Sequence, residues 1–168
     1  SIPEPNSLII KTSLGTLYHT GDWKIDENPL IGDPFEHADA QDVLAMICDS
    51  TNSLSKGRSG SEIEVRENIT NLIKSIDTRI FVTSFASNLA RLKTLASAAY
   101  QSGRSLVVLG RAMNNMIKYG KESGILKDFP DILSPRDAKL VPKSHLLVLA
   151  SGSQGEPRAA SAQLAREG

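Results

Sequence analysis

The chain has 168 residues, zero formal net charge, 40% hydrophobic and 23% charged residues. This supports one domain of ordinary size, or a small domain with part of another, and excludes wholesale disorder. The balanced charge removes the simple argument from a basic chain to nucleic acid, and the single cysteine, Cys48, excludes an intrachain disulfide and a cysteine-based zinc site.

In chain order, residues 8–12 and 16–19 read as a hairpin around Ser13-Leu14-Gly15, with Gly15 available for positive φ. The second strand delivers Asp22, in Thr20-Gly21-Asp22-Trp23-Lys24, to a strand end, where ligands and catalytic groups collect in α/β folds. Residues 26–34 read as a surface loop. Residues 45–48 read as a buried strand ending at Asp49, with Cys48 a buried, inert thiol. Residues 52–60, rich in Ser, Gly, Lys and Arg, are taken as a linker.

Ser61-Glu62-Ile63-Glu64 has capping-box spacing and predicts a helix with Val65, Ile69, Leu72, Ile73 and Ile76 on one face. Residues 79–83 form the next strand. Ser84 to Asn88 lead into a second helix that turns Leu89, Leu92, Leu95, Ala96 and Ala99 inward and stops at Gly103. Residues 105–109 read as a doubly covered strand. Gly110-Arg111 opens a third helix ending near Gly120 or Gly124. Residues 128–142 are irregular, with room for one helical turn. Residues 146–150 form the last strand, and Pro157 suits the first position of a final helix. The order from Ser61 is α, β, α, β, α, β, α, which implies a parallel sheet.

In such a sheet the loops after the strands share one edge. Ser84-Phe85-Ala86-Ser87-Asn88, Gly110-Arg111 and Ser151-Gly152-Ser153-Gln154-Gly155 would therefore be neighbours, each at a helix start with unpaired N–H groups. Together they describe an anion site, most simply for phosphate, to which Arg111 adds a charge; serines and Asn88 that merely cap helices are the competing reading. Arg104 with Arg111, or Lys139 with Lys143, could make a basic stripe, although most such pairs are solvated surface. No Walker pattern and no Gly-x-Gly-x-x-Gly stretch is present. Asp22 and Asp49 both end strands and could converge, but two carboxylates make a thin metal site, and His19, His37 and His145 lack paired spacing.

Several motifs occur here in the order found in one family: Ser1-Ile2-Pro3-Glu4, His19-Thr20-Gly21-Asp22-Trp23-Lys24, Asp49-Ser50-Thr51-Asn52, Phe85-Ala86-Ser87-Asn88, Gly110-Arg111-Ala112-Met113 and Gly152-Ser153-Gln154-Gly155-Glu156-Pro157. The chain resembles, over essentially its whole length, the ribonuclease J family, the β-CASP branch of the metallo-β-lactamase superfamily. The last motif is the most specific. The resemblance implies an α/β fold: part of a metallo-β-lactamase sheet with a linker over residues 1–60, then most of a β-CASP domain, a mainly parallel sheet flanked by helices, over residues 61–168.

It further implies a parent enzyme that hydrolyses RNA with two Zn2+ ions, as an endonuclease and a 5′-to-3′ exonuclease favouring a 5′-monophosphate. Asp22 would be the catalytic aspartate that bridges the metals, and Asp49 the acidic residue of the first β-CASP motif beside them. Ser84, Ser87, Asn88, Ser151, Gly152 and Ser153 would hold RNA and its 5′-phosphate, with Arg111 and Gln154 as further contacts. In the family a metal-binding His immediately precedes the Ser-Ile-Pro stretch, a His-x-His-x-Asp-His motif lies earlier, and two histidine motifs lie beyond the position of Gly168. The chain is therefore expected to be a fragment that binds no zinc and is inactive alone, cut from a parent that is a homodimer or tetramer. Trp23, Ala112 and Ser151 stand where the family usually has Phe, Ser and Thr, and Ala112 removes a hydroxyl from its loop. No apolar run approaches the roughly 20 residues of a membrane helix and nothing at the start resembles a signal peptide, so a cytoplasmic protein without a membrane partner is expected. The alternatives are a non-catalytic nucleotide- or RNA-binding module and a superfamily hydrolase acting on another phosphoester.

Overall fold

The computed structural model describes residues 6–26, 28–34, 41–57 and 60–167; the Ser1-Ile2-Pro3-Glu4 motif, His37 and part of the expected linker (residues 58–59) lie outside the described residues. Its strands form two separate three-stranded sheets, one before and one after residue 60.

The first sheet begins with the expected hairpin, β1 (Leu8–Thr12) antiparallel to β2 (Gly15–His19). Thr12 closes the turn, its hydroxyl donating to the Gly15 carbonyl at 2.8 Å and accepting from Leu14 N–H at 3.2 Å. Gly15 has φ 144°, as anticipated. β3 (Ala45–Ile47) pairs parallel to β2. This strand departs from expectation: it is three residues long, all three of its side chains are exposed, and so is Cys48. The apolar run 43–47 suggested burial. β3 instead lies at the sheet's edge, where no described helix covers it.

The capping box at Ser61 forms. Its hydroxyl accepts from Ile63 N–H at 2.9 Å while Glu64 accepts from Ser61 N–H at 3.2 Å, opening α1 (Glu62–Lys74). Ile69, Ile73 and Ile76, spaced by four and three, face the core. Leu72, expected on that stripe, is exposed, because its neighbour Ile73 takes the inward position and successive helical residues are rotated by about 100°.

The second sheet contains β4 (Ile80–Thr83), β5 (Ser105–Leu109) and β6 (Leu146–Ala150), all parallel, in the order β4-β6-β5. Side-chain alternation divides it between two apolar clusters. Ile80, Leu106, Val108, Leu147 and Leu149 meet α2 (Leu89–Gln101) and α3 (Arg111–Glu122) on one face. Val107, Leu146 and Val148 meet Leu133, Ala138 and Val141 on the other. The irregular stretch 128–142 is thus the cover of the second face. It is stitched to the sheet edge where Leu133 N–H donates to the Leu106 carbonyl at 2.8 Å, and it includes a 3-10 turn at Asp137–Leu140. α2 closes with Gly103 at φ 66°, and α3 continues past Gly120 to Glu122, with Gly124 at φ 78° following.

The last helix, α4 (Ala160–Glu167), starts three residues later than Pro157 implied. Gly155 N–H donates to the Gly152 carbonyl and Ala159 N–H to the Glu156 carbonyl, so two turns precede the helix and the proline sits in the second. Arg104 and Arg111 do not sit together as a basic stripe. β5 separates the two residues, and Arg104 donates to the carbonyls of Thr78 (2.8 Å) and Ile76 at the far end of the strand. The two sections of the chain meet where Ile31 packs against the larger core and Asp26 accepts from Glu62 N–H.

Candidate functional site

The parallel order places the loops after β4, β6 and β5 side by side, with the β6 loop in the middle. Backbone bonds fasten it on both sides. Ser84 N–H donates to the Ala150 carbonyl at 3.2 Å, and Ser151 N–H to the Leu109 carbonyl at 3.3 Å. Two glycines make the remaining contacts possible. Gly110 (φ 112°) caps α3, and a Cβ there would meet Ser151 Oγ at 2.6 Å; Gly152 (φ 118°) lies so close to Ser161 and Ala159 that a Cβ would meet the latter's methyl at 2.8 Å. Positive φ and close packing together restrict both positions to glycine. The result is one surface built from three helix starts.

Within it the expected phosphate ligands divide in two. Ser84 is buried, and both its N–H and its hydroxyl are engaged, the hydroxyl with the Phe85 carbonyl at 3.4 Å. Asn88 is the N-cap of α2, its Oδ1 accepting from Arg91 N–H at 3.0 Å. Ser151 Oγ accepts from Ala160 N–H at 3.3 Å. These three build the surface. Ser87, Arg111, Ser153 and Gln154 are exposed on it and Gly152 is half-buried. The Gln154 N–H donates to Glu156 Oε2 at 3.0 Å, so a carboxylate already holds that turn. Arg158, which the sequence reading passed over, is exposed in the same loop.

The first sheet presents a second edge. β2 and β3 are parallel neighbours, so the loops carrying Asp22 and Asp49 emerge together. Thr20 ties them: its N–H donates to the Ile47 carbonyl at 3.0 Å and its Oγ1 accepts from Asp49 N–H at 3.2 Å. Trp23 Nε1 donates to the Asp49 carbonyl at 3.4 Å. Asp49 Oδ1 accepts from the Thr51 hydroxyl at 2.6 Å and its N–H at 2.9 Å, and these bonds hold the carboxyl below the ordinary carboxylate range. Asp22 is exposed.

Zinc coordination requires more than this edge supplies. Among the described residues no three His, Cys, Asp or Glu side chains gather closely enough to hold a metal ion. His19 accepts from Gly21 N–H at 3.0 Å, and His145 contacts Ser144 well away in sequence. A two-carboxylate edge does not fit a zinc centre by itself.

A parallel sheet flanked by helices, with its loops leading into several helix starts, defines an α/β module. Residues 77–168 match the family model described as the β-CASP domain of ribonuclease J. The chain is 40% identical to a ribonuclease J of Sinorhizobium meliloti, 37% to one of Mycolicibacterium smegmatis and 35% to one of Thermus thermophilus. These alignments cover 99%, 99% and 100% of the chain and 30%, 31% and 30% of the relatives. The chain belongs to the ribonuclease J family and spans about a third of the length of the curated relatives it matches.

Proposed function

We propose that the chain is the RNA-holding part of a ribonuclease, and that the three-loop edge binds the phosphates of a single strand, including its 5′-terminal monophosphate. The observation that supports this reading most is the fastening of the β6 loop between its neighbours, so that the loops carrying the exposed Ser87, Arg111 and Ser153 are adjacent at one sheet edge. Hydroxyls, helix-start N–H groups and an Arg fork suit a phosphate and read no base sequence. Ser84, Asn88 and Ser151 shape the surface, while Gly152 and Gln154 line its central loop.

Asp22 and Asp49 are the catalytic carboxylates of this reading, and Asp22 is the one available as a ligand to metal completed by groups outside the described residues. Endonucleolytic and 5′-to-3′ exonucleolytic cleavage, Zn2+ dependence and assembly into dimers or tetramers belong to a protein of the relatives' full length. The chain by itself binds and does not cleave.

The test is binding of the 168-residue chain to a short single-stranded RNA carrying either a 5′-monophosphate or a 5′-hydroxyl. The monophosphate form should bind more tightly, and Ser87→Ala with Ser153→Ala should erase the difference. Equal affinity of the unaltered chain for both RNAs would overturn the proposal. Binding should also weaken as salt rises, the signature of phosphate contacts.

A further inference from the structure

Two charged residues beside this edge have a partner in each other. Glu62 opens α1 and Arg91 stands in the first turn of α2. Arg91 Nε and Nη2 donate to Glu62 Oε2 and Oε1, each at 3.3 Å, as a two-pronged pair. The Glu62 side chain keeps 12% of its exposure and that of Arg91 30%, so the pair is shielded on most sides. Helix direction explains the meeting. α1 leads into β4 through a short turn and α2 leaves β4, so both helices start at the end of the sheet that carries the three loops.

The pair is anchored at both ends. On one side Glu62 N–H donates to Asp26 Oδ2 at 3.4 Å, and Lys24 Nζ lies 3.9 Å from the same oxygen. On the other, Arg91 N–H donates to Asn88 Oδ1. An unbroken line of polar contacts therefore runs from Lys24, two residues after Asp22, to Asn88, next to Ser87. It crosses from the first section of the chain to the second. A planar guanidinium bonded through two nitrogens fixes orientation as well as distance, which a lysine at that position would not do.

The geometry points to a latch: the Glu62–Arg91 pair, seated on Asp26, holds the Ser87-Asn88 loop in register with the Asp22 edge. Arg91 is then a positioning residue that orients the phosphate surface and does not itself touch RNA. This rests on the phosphate-surface reading above and assigns that surface its alignment device.

Neutralising Glu62 separates the latch from the alternative in which Arg91 is a direct phosphate contact, because the two give opposite signs. Under the latch, Glu62→Gln weakens binding of 5′-monophosphorylated RNA to the chain by about fivefold, the size of one lost network coupling. Arg91→Lys, which keeps the charge and loses the fork, weakens it comparably. Tighter binding by Glu62→Gln would show that freeing Arg91 adds a contact, and would overturn the latch. So would unchanged binding. An Ile69→Val variant, which trims the core side of α1, controls for simple loss of stability and should bind as the unaltered chain does. A loss there equal to that of Glu62→Gln would also overturn the proposal. If the unaltered chain does not distinguish the 5′-monophosphate, the phosphate-surface reading fails instead.

Discussion

Asp49 is set by its neighbour Thr51. The hydroxyl and then the N–H of Thr51 stabilise the ionised carboxylate and lower its pKa. A depressed carboxylate contributes stability that is present above its unfolded pKa and lost as pH falls through the folded value. Thr51→Val removes the shorter bond, so the Asp49 titration followed by carboxyl NMR should move up toward the ordinary range. An unmoved midpoint would mean that the hydroxyl is not the main cause. At Gly110 backbone and packing act together. Gly110→Ala places a methyl in the left-handed region and against Ser151 Oγ, and should cost about 1–3 kcal/mol, measured by denaturant unfolding. The glycine was visible in the sequence, whereas the hydroxyl packed against it becomes apparent only once β5 and β6 are neighbours.

Among the elements, α2 carries the clearest agreement between pattern and packing. Leu92, Leu95, Ala96 and Ala99, inferred from helical spacing, are fully buried. The spacing gave no warning of Thr94 on the same face, whose hydroxyl is buried without a hydrogen-bond partner among the described residues. An unpaired buried hydroxyl is costly, and valine has nearly the same shape. Thr94→Val should therefore raise stability by about 1 kcal/mol, read as a higher thermal midpoint. A fall in the midpoint would mean that the hydroxyl has a partner in solution. α1 and α4 show where local rules lose to context. The α1 stripe omitted Leu72, and Pro157 marked a turn instead of a helix start, because the bonds of residues 152–159 close two turns first.

On the scale of the whole molecule the two sheets differ in how they are covered. β6 is buried along its length between two apolar clusters, while β1 and β3 expose Leu8, Ile9, Ile10, Met46 and Ile47. Stability should follow that difference. Leu147→Ala, at a fully buried position of the central strand, should cost about 2–5 kcal/mol in chemical unfolding. Met46→Ala, half exposed on an edge strand, should change it by less than about 0.5 kcal/mol. Similar losses at both positions would mean that the first sheet is covered in solution. No helix among the described residues is long and apolar enough to cross a membrane.

The sequence by itself determined the alternation of helices and strands after Ser61, the inward face of α2, the three polar loops and the family. These are local or short-period signals, written in spacing, capping residues and glycines. The tertiary structure decided which hydroxyls shape the three-loop surface and which face outward, because that depends on strand order: β6 lies between β4 and β5, so its loop is bonded on both sides and Ser84 and Ser151 are drawn into the joints. It also decided the pairing of Glu62 with Arg91. Those residues are 29 positions apart and meet because two helices start at the same end of one sheet.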